Sequence, residues 1–218
     1  MSRLPEWMQN SLSRPRLRRS IRAARGDARV AVRLYWWNVE VSAALFGPLH
    51  CLELALRNAL HNTLVHHYGT RGWWSVAPLN EHGKKLVDDA HRSCRRRRVR
   101  TTEDDVVAEL SFGFWVSLLS RGYDRHFWVP VLHRAFPHYR GRRDRLYDEL
   151  FSVVLLRNRI MHHEPVHHRD LAADHAKIYR LLGYLSPELA KEAQAMDRFP
   201  AVLAARGEVL RGTRPPQF

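Results

Sequence analysis

The stretch LYWWNVEVSAALFGPLHCLELALRNALHNTLVHHYG, Leu34 to Gly69, decides the fold class. Apolar residues recur in it every three or four positions and never alternate with period two, which is the pattern of a buried face on an α-helix. Only the dipeptide Gly47-Pro48 interrupts the run. Glycine suits the residue just past a helix end, and proline suits the first turn of a new helix. The spacing therefore predicts a helix over 28–46, a second from Pro48 to Tyr68-Gly69, and a tight hairpin between them.

The same period governs the rest of the chain. A helix around 79–92 leads into the arginine run RRRRVR at 95–100. Thr101-Thr102 followed by Asp104 and Asp105 signals the cap of a helix through VVAELSFGFWVSLLS. Residues 124–140 are broken by Pro130 and Pro137, and a long helix is expected from Arg142 to His162 or His163. Pro165 ends it, because its ring clashes with the carbonyl of Met161 and disfavours helical backbone at Glu164. Ser186-Pro187-Glu188 caps a C-terminal helix. With no hairpin-bounded strand and no internal repeat, the fold class is all-α.

A chain of 218 residues that is 45% hydrophobic can bury a real core. Its formal charge of +14, from 36 Lys+Arg against 22 Asp+Glu, points to a polyanionic partner, nucleic acid first. Cys51 and Cys94 are too few for a disulfide scaffold, so a reducing cytoplasm is the expected compartment. Residues 1–26 lack the apolar core of a secretory signal, and no uncharged apolar run reaches the ~18 residues that span a bilayer, so no membrane segment is expected. Leu17, Ile21 and Ala24, interleaved with arginines, read as a basic helix packed on its own domain rather than on an anionic membrane.

In the second predicted helix Leu49, Leu52, Leu56, Ala59 and Leu60 form the apolar side, while Glu53, Arg57 and His61 follow one another at i, i+4 beside Asn58. Such a stripe is commonly a solvated ion-pair face contributing ~0.3–0.5 kcal/mol. In the later helix Tyr147, Leu150, Phe151, Val154 and Leu155 supply the apolar side. LLRNRIMHHEPVHH, Leu155 to His168, follows, with Asn158 one turn before His162 and placed to fix the tautomer of its imidazole. At a helix C-terminus the macrodipole favours imidazolium. HEPVH, His163 to His167, formally matches the zinc motif H-E-x-x-H, but Pro165 prevents the continuous helix that motif needs. No metal and no other cofactor is expected, and adventitious metal binding by His162, His163, His167 and His168 is the lesser reading. Trp36, Trp37, Trp73 and Trp74 read first as core or interface residues, with base stacking the other use.

Three stretches together resemble the Abi-like (abortive infection) family of bacterial proteins, a branch of the HEPN superfamily: residues 34–69, LSFGFWVSLLS at 110–120, and LRNRIMHHEP at 156–165. The resemblance covers about 15–185 of a single domain spanning 1–218, with 186–218 a C-terminal helical extension. It implies a HEPN-like helical bundle with additional N- and C-terminal helices. HEPN ribonucleases carry R-x(4 to 6)-H, often with a polar residue after the arginine; Arg157, Asn158 and His162 fit the four-residue spacing and His163 the five-residue one. The implied activity is metal-independent RNA cleavage by 2′-OH attack, in phage defence or as a toxin, leaving a 2′,3′-cyclic phosphate and a 5′-OH. Histidine would move protons near neutral pH, and Arg157 would meet the phosphoryl charge through its fork. Glu53, Arg57 and Asn58 match the family's first motif as accessory site residues. The implied partners are RNA and a second copy of the chain; the toxin reading adds an antitoxin or inhibitor that the sequence does not name. The alternative is a non-catalytic RNA-binding or regulatory HEPN protein.

Overall fold

A computed structural model describes residues 4–97 and 100–218; Arg98 and Val99, inside the arginine run, and residues 1–3 lie outside the described residues. The all-α expectation holds, with no strand among the described residues. The helices are α1 (Glu6–Leu12), α2 (Arg14–Ala23), α3 (Ala28–Tyr68), α4 (Glu81–Arg97), α5 (Glu103–Glu109) and α6 (Phe112–Ser117), then α7 (Arg143–Met161), α8 (Leu171–Leu185), α9 (Pro187–Ala195), α10 (Phe199–Ala204) and α11 (Arg206–Arg211). Short 3-10 and π turns fill much of 121–135.

The hairpin expected at Gly47-Pro48 does not form, and α3 runs through it as one helix of 41 residues. Proline normally drives the residue before it out of the helical region by clashing with that residue's Cβ and N–H. Gly47 has no Cβ, and the space where one would stand is open. What remains is the backbone bond lost with the missing Pro48 N–H and the crowding of its ring against the Ala44 carbonyl. Packing opposes that loss, because Leu34, Trp37, Val41, Leu45, Leu49, Leu52, Leu56, Leu60 and Leu64 are all buried and keep one phase across the proline. By length and composition alone α3 could also cross a bilayer, as buried core helices of this kind commonly could.

A second correction concerns the helix expected through residues 106–120. Thr102 does form a capping box with Asp105, but Leu110 turns extended and Ser111 starts α6, its Oγ accepting from the Phe114 N–H. The cap inside the run was the signal for the break.

The described residues divide into two compact units, one drawn from Met1–His50, Leu155–Ile178 and Glu192–Phe218, the other from Cys51–Val154 and Tyr179–Lys191. In the first unit the C-terminal helices fold onto α3. The Trp37 Nε1–H donates to Val202 O at 3.1 Å, Arg206 lies over the Trp37 ring, and Arg33 donates to the carbonyls of Leu210 and Arg211 at the end of α11. Gly212, which follows, has φ +84. It supplies the left-handed turn and leaves room for the Arg33 guanidinium, which a Cβ would crowd. In the second unit the fully buried Trp73 and Trp115 pack against His61, whose Nδ1 accepts from the Trp73 Nε1–H at 3.2 Å, and buried Phe127 packs on Trp73.

Candidate functional site

The face that α7 buries includes the expected Leu150 and Val154 but not Phe151 and Leu155. Leu146, Leu150, Val153, Val154, Leu156 and Ile160 are buried, whereas Phe151 and Leu155 stand 44% and 47% exposed. The inward stripe follows the i, i+3, i+4 series from Leu146, and an apolar residue one step off that series points to solvent.

The helix ends where Pro165 requires. The His162 N–H still bonds Asn158 O at 2.9 Å, and then His163 turns left-handed at φ +56. The His163 N–H reaches Ile160 O and the Glu164 N–H reaches Arg159 O, the paired bonds of a Schellman motif. Glycine usually fills the left-handed position. A histidine there costs about 1 kcal/mol, and backbone strain of this kind gathers at functional sites. Where an apolar contact often closes the motif, Arg159 pairs with Glu164 at 3.2 Å.

Two further groups hold the segment after α7. Arg16 of α2 donates from Nη1 to His163 O at 2.8 Å and to His162 O at 3.3 Å, meeting the negative end of the helix with a guanidinium. Asn38 of α3 is buried, and its Oδ1 accepts from the N–H of Val166 at 2.7 Å and of His167 at 3.0 Å. These bonds settle the amide orientation, since only the oxygen can accept two N–H groups.

The result is a cleft of about 430 Å³ in which exposed His162 and His163 face Arg16 and Arg19, residues i, i+3 on α2. The chemistry on offer is two imidazoles with guanidinium cations, suited to an anion and to proton transfer near neutral pH. His167 and His168 differ from them. Burial first, then the charges of His168, Arg206 and Arg19, hold the buried His167 at about 4, and burial with Arg159, Arg19 and Arg169 lowers exposed His168. His167 thus stays neutral inside the protein.

Of the residues singled out in the sequence, Arg157, Asn158, His162 and His163 all belong to the first unit. Arg157 is half-buried on α7, and the arginines that share the histidine cleft are Arg16 and Arg19. The bond joining Asn158 to His162 is the helical backbone one; among the described residues no side-chain bond links the amide to the imidazole. Glu53, Arg57 and Asn58 belong to the second unit, where the Arg57 Nε donates to Asn58 Oδ1 at 3.2 Å. His61 does not continue their stripe on the surface. Trp73 covers it, and burial together with Arg71 and Arg57 lowers its pKa against the opposing pull of Asp104. Trp37 and Trp73 are fully buried and offer no face to a base, while Trp36 and Trp74 are half-buried.

Sequence reading passed over Arg16, Arg19 and Asn38. Nothing distinguishes two arginines within a basic helix. Asn38 did carry a signal, because a polar residue stands there in register with the buried Leu34, Val41 and Leu45. Among the described residues no three His, Cys, Asp or Glu side chains gather as metal ligands. Comparison with protein-family models, with curated proteins and with solved structures found no match.

Proposed function

We propose that this chain is a metal-independent endoribonuclease of the HEPN type, acting in the cytoplasm in phage defence or as a toxin. The observation that carries the reading is the cleft at the end of α7, where His162 and His163 meet Arg16 and Arg19. RNA brings its own nucleophile, the ribose 2′-OH. What the protein must add is a group that takes the 2′-OH proton, a group that protonates the departing 5′ oxygen, and positive charge for the phosphoryl oxygens. Imidazole serves the first two roles and guanidinium the third, so no step calls for a metal. Arg157, half-buried ahead of the histidines, is the family's arginine in this reading, with Asn158 beside it.

A homodimer belongs to the same proposal. Phe151 and Leu155 leave large apolar side chains exposed on α7, and Phe46 does so on α3. Apolar side chains of this size are available to a second copy of the chain, and light scattering at micromolar concentration tests whether one binds. The second reading, a protein that binds RNA without cutting it, is favoured by one observation: among the described residues the only bond between Asn158 and His162 is the backbone one, which does not set the imidazole tautomer.

Single-turnover cleavage of bulk RNA in EDTA, measured beside filter binding, tests the proposal. His162→Ala should abolish cleavage with RNA affinity nearly unchanged, since one imidazole is a small part of a +14 surface. His163→Ala should be milder, and Arg157→Lys should cut activity severely because an ammonium cannot reproduce the guanidinium fork. RNA binding without cleavage by the wild-type protein would establish the second reading. Three variants cleaving like wild type would remove this segment from the chemistry.

A further inference from the structure

His163, Glu164 and Pro165 line a second cavity besides the cationic cleft. It measures about 520 Å³ and is walled largely by apolar side chains, among them Tyr35 and Val39 of α3, Phe46, and Ile160 of α7. Five polar side chains break that apolar lining, Ser20, Asn38, Ser42, His163 and Glu164, and three of them bear on what the cavity can hold. Ser20 of α2 is 1% exposed, and among the described residues its Oγ has no hydrogen-bond partner, not even the carbonyl one turn earlier that a helical serine commonly uses. Asn38 has committed its oxygen to Val166 and His167, so the amide Nδ2 is what it can offer the cavity, as a donor. Glu164 holds Arg159 through Oε2 and keeps a carboxylate edge that only accepts.

We propose that this cavity is the subsite for the nucleobase next to the scissile phosphate, and that it takes guanine. The inference rests on the ribonuclease reading above. Because three consecutive residues line both cavities, one nucleotide can set its phosphate beside Arg16 and Arg19 and its base against Tyr35 and Phe46. Single-stranded RNA is generally read this way, by unstacking a base, packing it on aromatic side chains and bonding its edge. The polar groups select among bases. Guanine alone presents two adjacent N–H groups, N1 and N2, to a carboxylate, and its O6 accepts from an amide. Adenine puts a bare acceptor where guanine has N1–H, and the pyrimidines present a shorter edge. The Ser20 hydroxyl can donate or accept and completes the set. A base that leaves these buried groups unpaired is rejected more strongly than one that merely fits loosely.

Calorimetric binding of 3′-GMP, 3′-AMP and 3′-UMP, none of which the enzyme can cleave, tests the subsite apart from the chemistry. The wild-type protein should prefer 3′-GMP by at least about 10-fold. Ala43→Trp, at an exposed position on the cavity lining, should remove that preference and leave competition by inorganic phosphate unchanged. Ser20→Ala should weaken 3′-GMP by roughly 5- to 10-fold, as the loss of one hydrogen bond does. Equal affinity for the three nucleotides, or an Ala43→Trp protein that binds them as wild type does, would overturn the proposal. So would an Ala43→Trp protein that keeps its base preference but changes from dimer to monomer by light scattering, since the cavity would then hold a second copy of the chain. Guanine preference in a protein that cuts no RNA would refute the ribonuclease reading and leave the subsite standing. RNA cleavage with no base preference in binding or cutting would do the reverse.

Discussion

Replacing Asn38 by alanine should destabilise the first unit out of proportion to the atoms removed. The side chain is buried, and its single oxygen serves two backbone N–H groups, of Val166 and His167, that are themselves buried. Removing the acceptor leaves both donors without a partner, and a buried unsatisfied N–H costs about 1–3 kcal/mol. Two of them would cost ~2–6 kcal/mol if nothing moved. Entry of water or a small backbone shift recovers part of this, so about 2–4 kcal/mol should be lost. Urea unfolding measures the total, and native-state hydrogen exchange locates it, because the Val166 and His167 amides should lose protection ahead of the rest of the first unit. A loss below about 1 kcal/mol, or unchanged protection at those two amides, would refute the clamp.

The remaining predictions concern strain and burial, mostly in the same unit. His163→Gly relieves the left-handed residue at φ +56 and should raise stability by about 0.5–1 kcal/mol in urea unfolding; a loss of stability would show that the imidazole contributes contacts worth more than the strain. His167 is held at about 4 against an ordinary 6.5, so the unfolded chain takes up a proton there before the folded one does. Its contribution is therefore complete above pH 6.5 and drains away as pH falls toward 4, by roughly 3 kcal/mol, with His61 and His168 shifted in the same direction and adding to the slope. Urea midpoints across that window should fall for wild type and flatten for His167→Leu, and a pH-independent wild-type midpoint would contradict the burial argument. Gly212→Ala should cost about 1–2 kcal/mol, since alanine is strained at φ +84 and its Cβ displaces Arg33 from the carbonyls it caps; an unchanged midpoint would show that Arg33 is free to move without loss.

Regular elements were legible because their signals are periodic or chemical. The apolar spacing of α3 and α7, the Thr102 capping box and the Pro187 start of α9 could all be read from residue order. The misreadings share a cause, which is that a local signal was weighed without its packing. Gly47-Pro48 reads as a boundary by propensity, but the buried stripe keeps one phase through it, and burial of that face outweighs the lost backbone bond and the crowding by the proline ring. On α7 the count of apolar residues included Phe151 and Leu155, and the side facing the core was set by the longer series from Leu146. At the candidate site, the histidine segment could be found by its residue types. Its cationic partners could not, because Arg16 and Arg19 lie about 145 positions away and reach it only through the packing of α2.

That packing also separates two histidines that look interchangeable in sequence. His162 continues the helical bonding and sits at the negative end of α7, facing the cleft of Arg16 and Arg19. His163 has left the helix through a left-handed turn, so it lines both that cleft and the apolar cavity beyond it. A reversal of φ between neighbouring residues sends their side chains in different directions. The four- and five-residue spacings from Arg157 are therefore two positions with different surroundings, and neither imidazole can stand in for the other. The same turn explains why Arg16, Arg159 and Asn38 converge on so short a segment. A left-handed histidine keeps its conformation only if neighbouring groups hold it there, and these three do so from α2, α7 and α3.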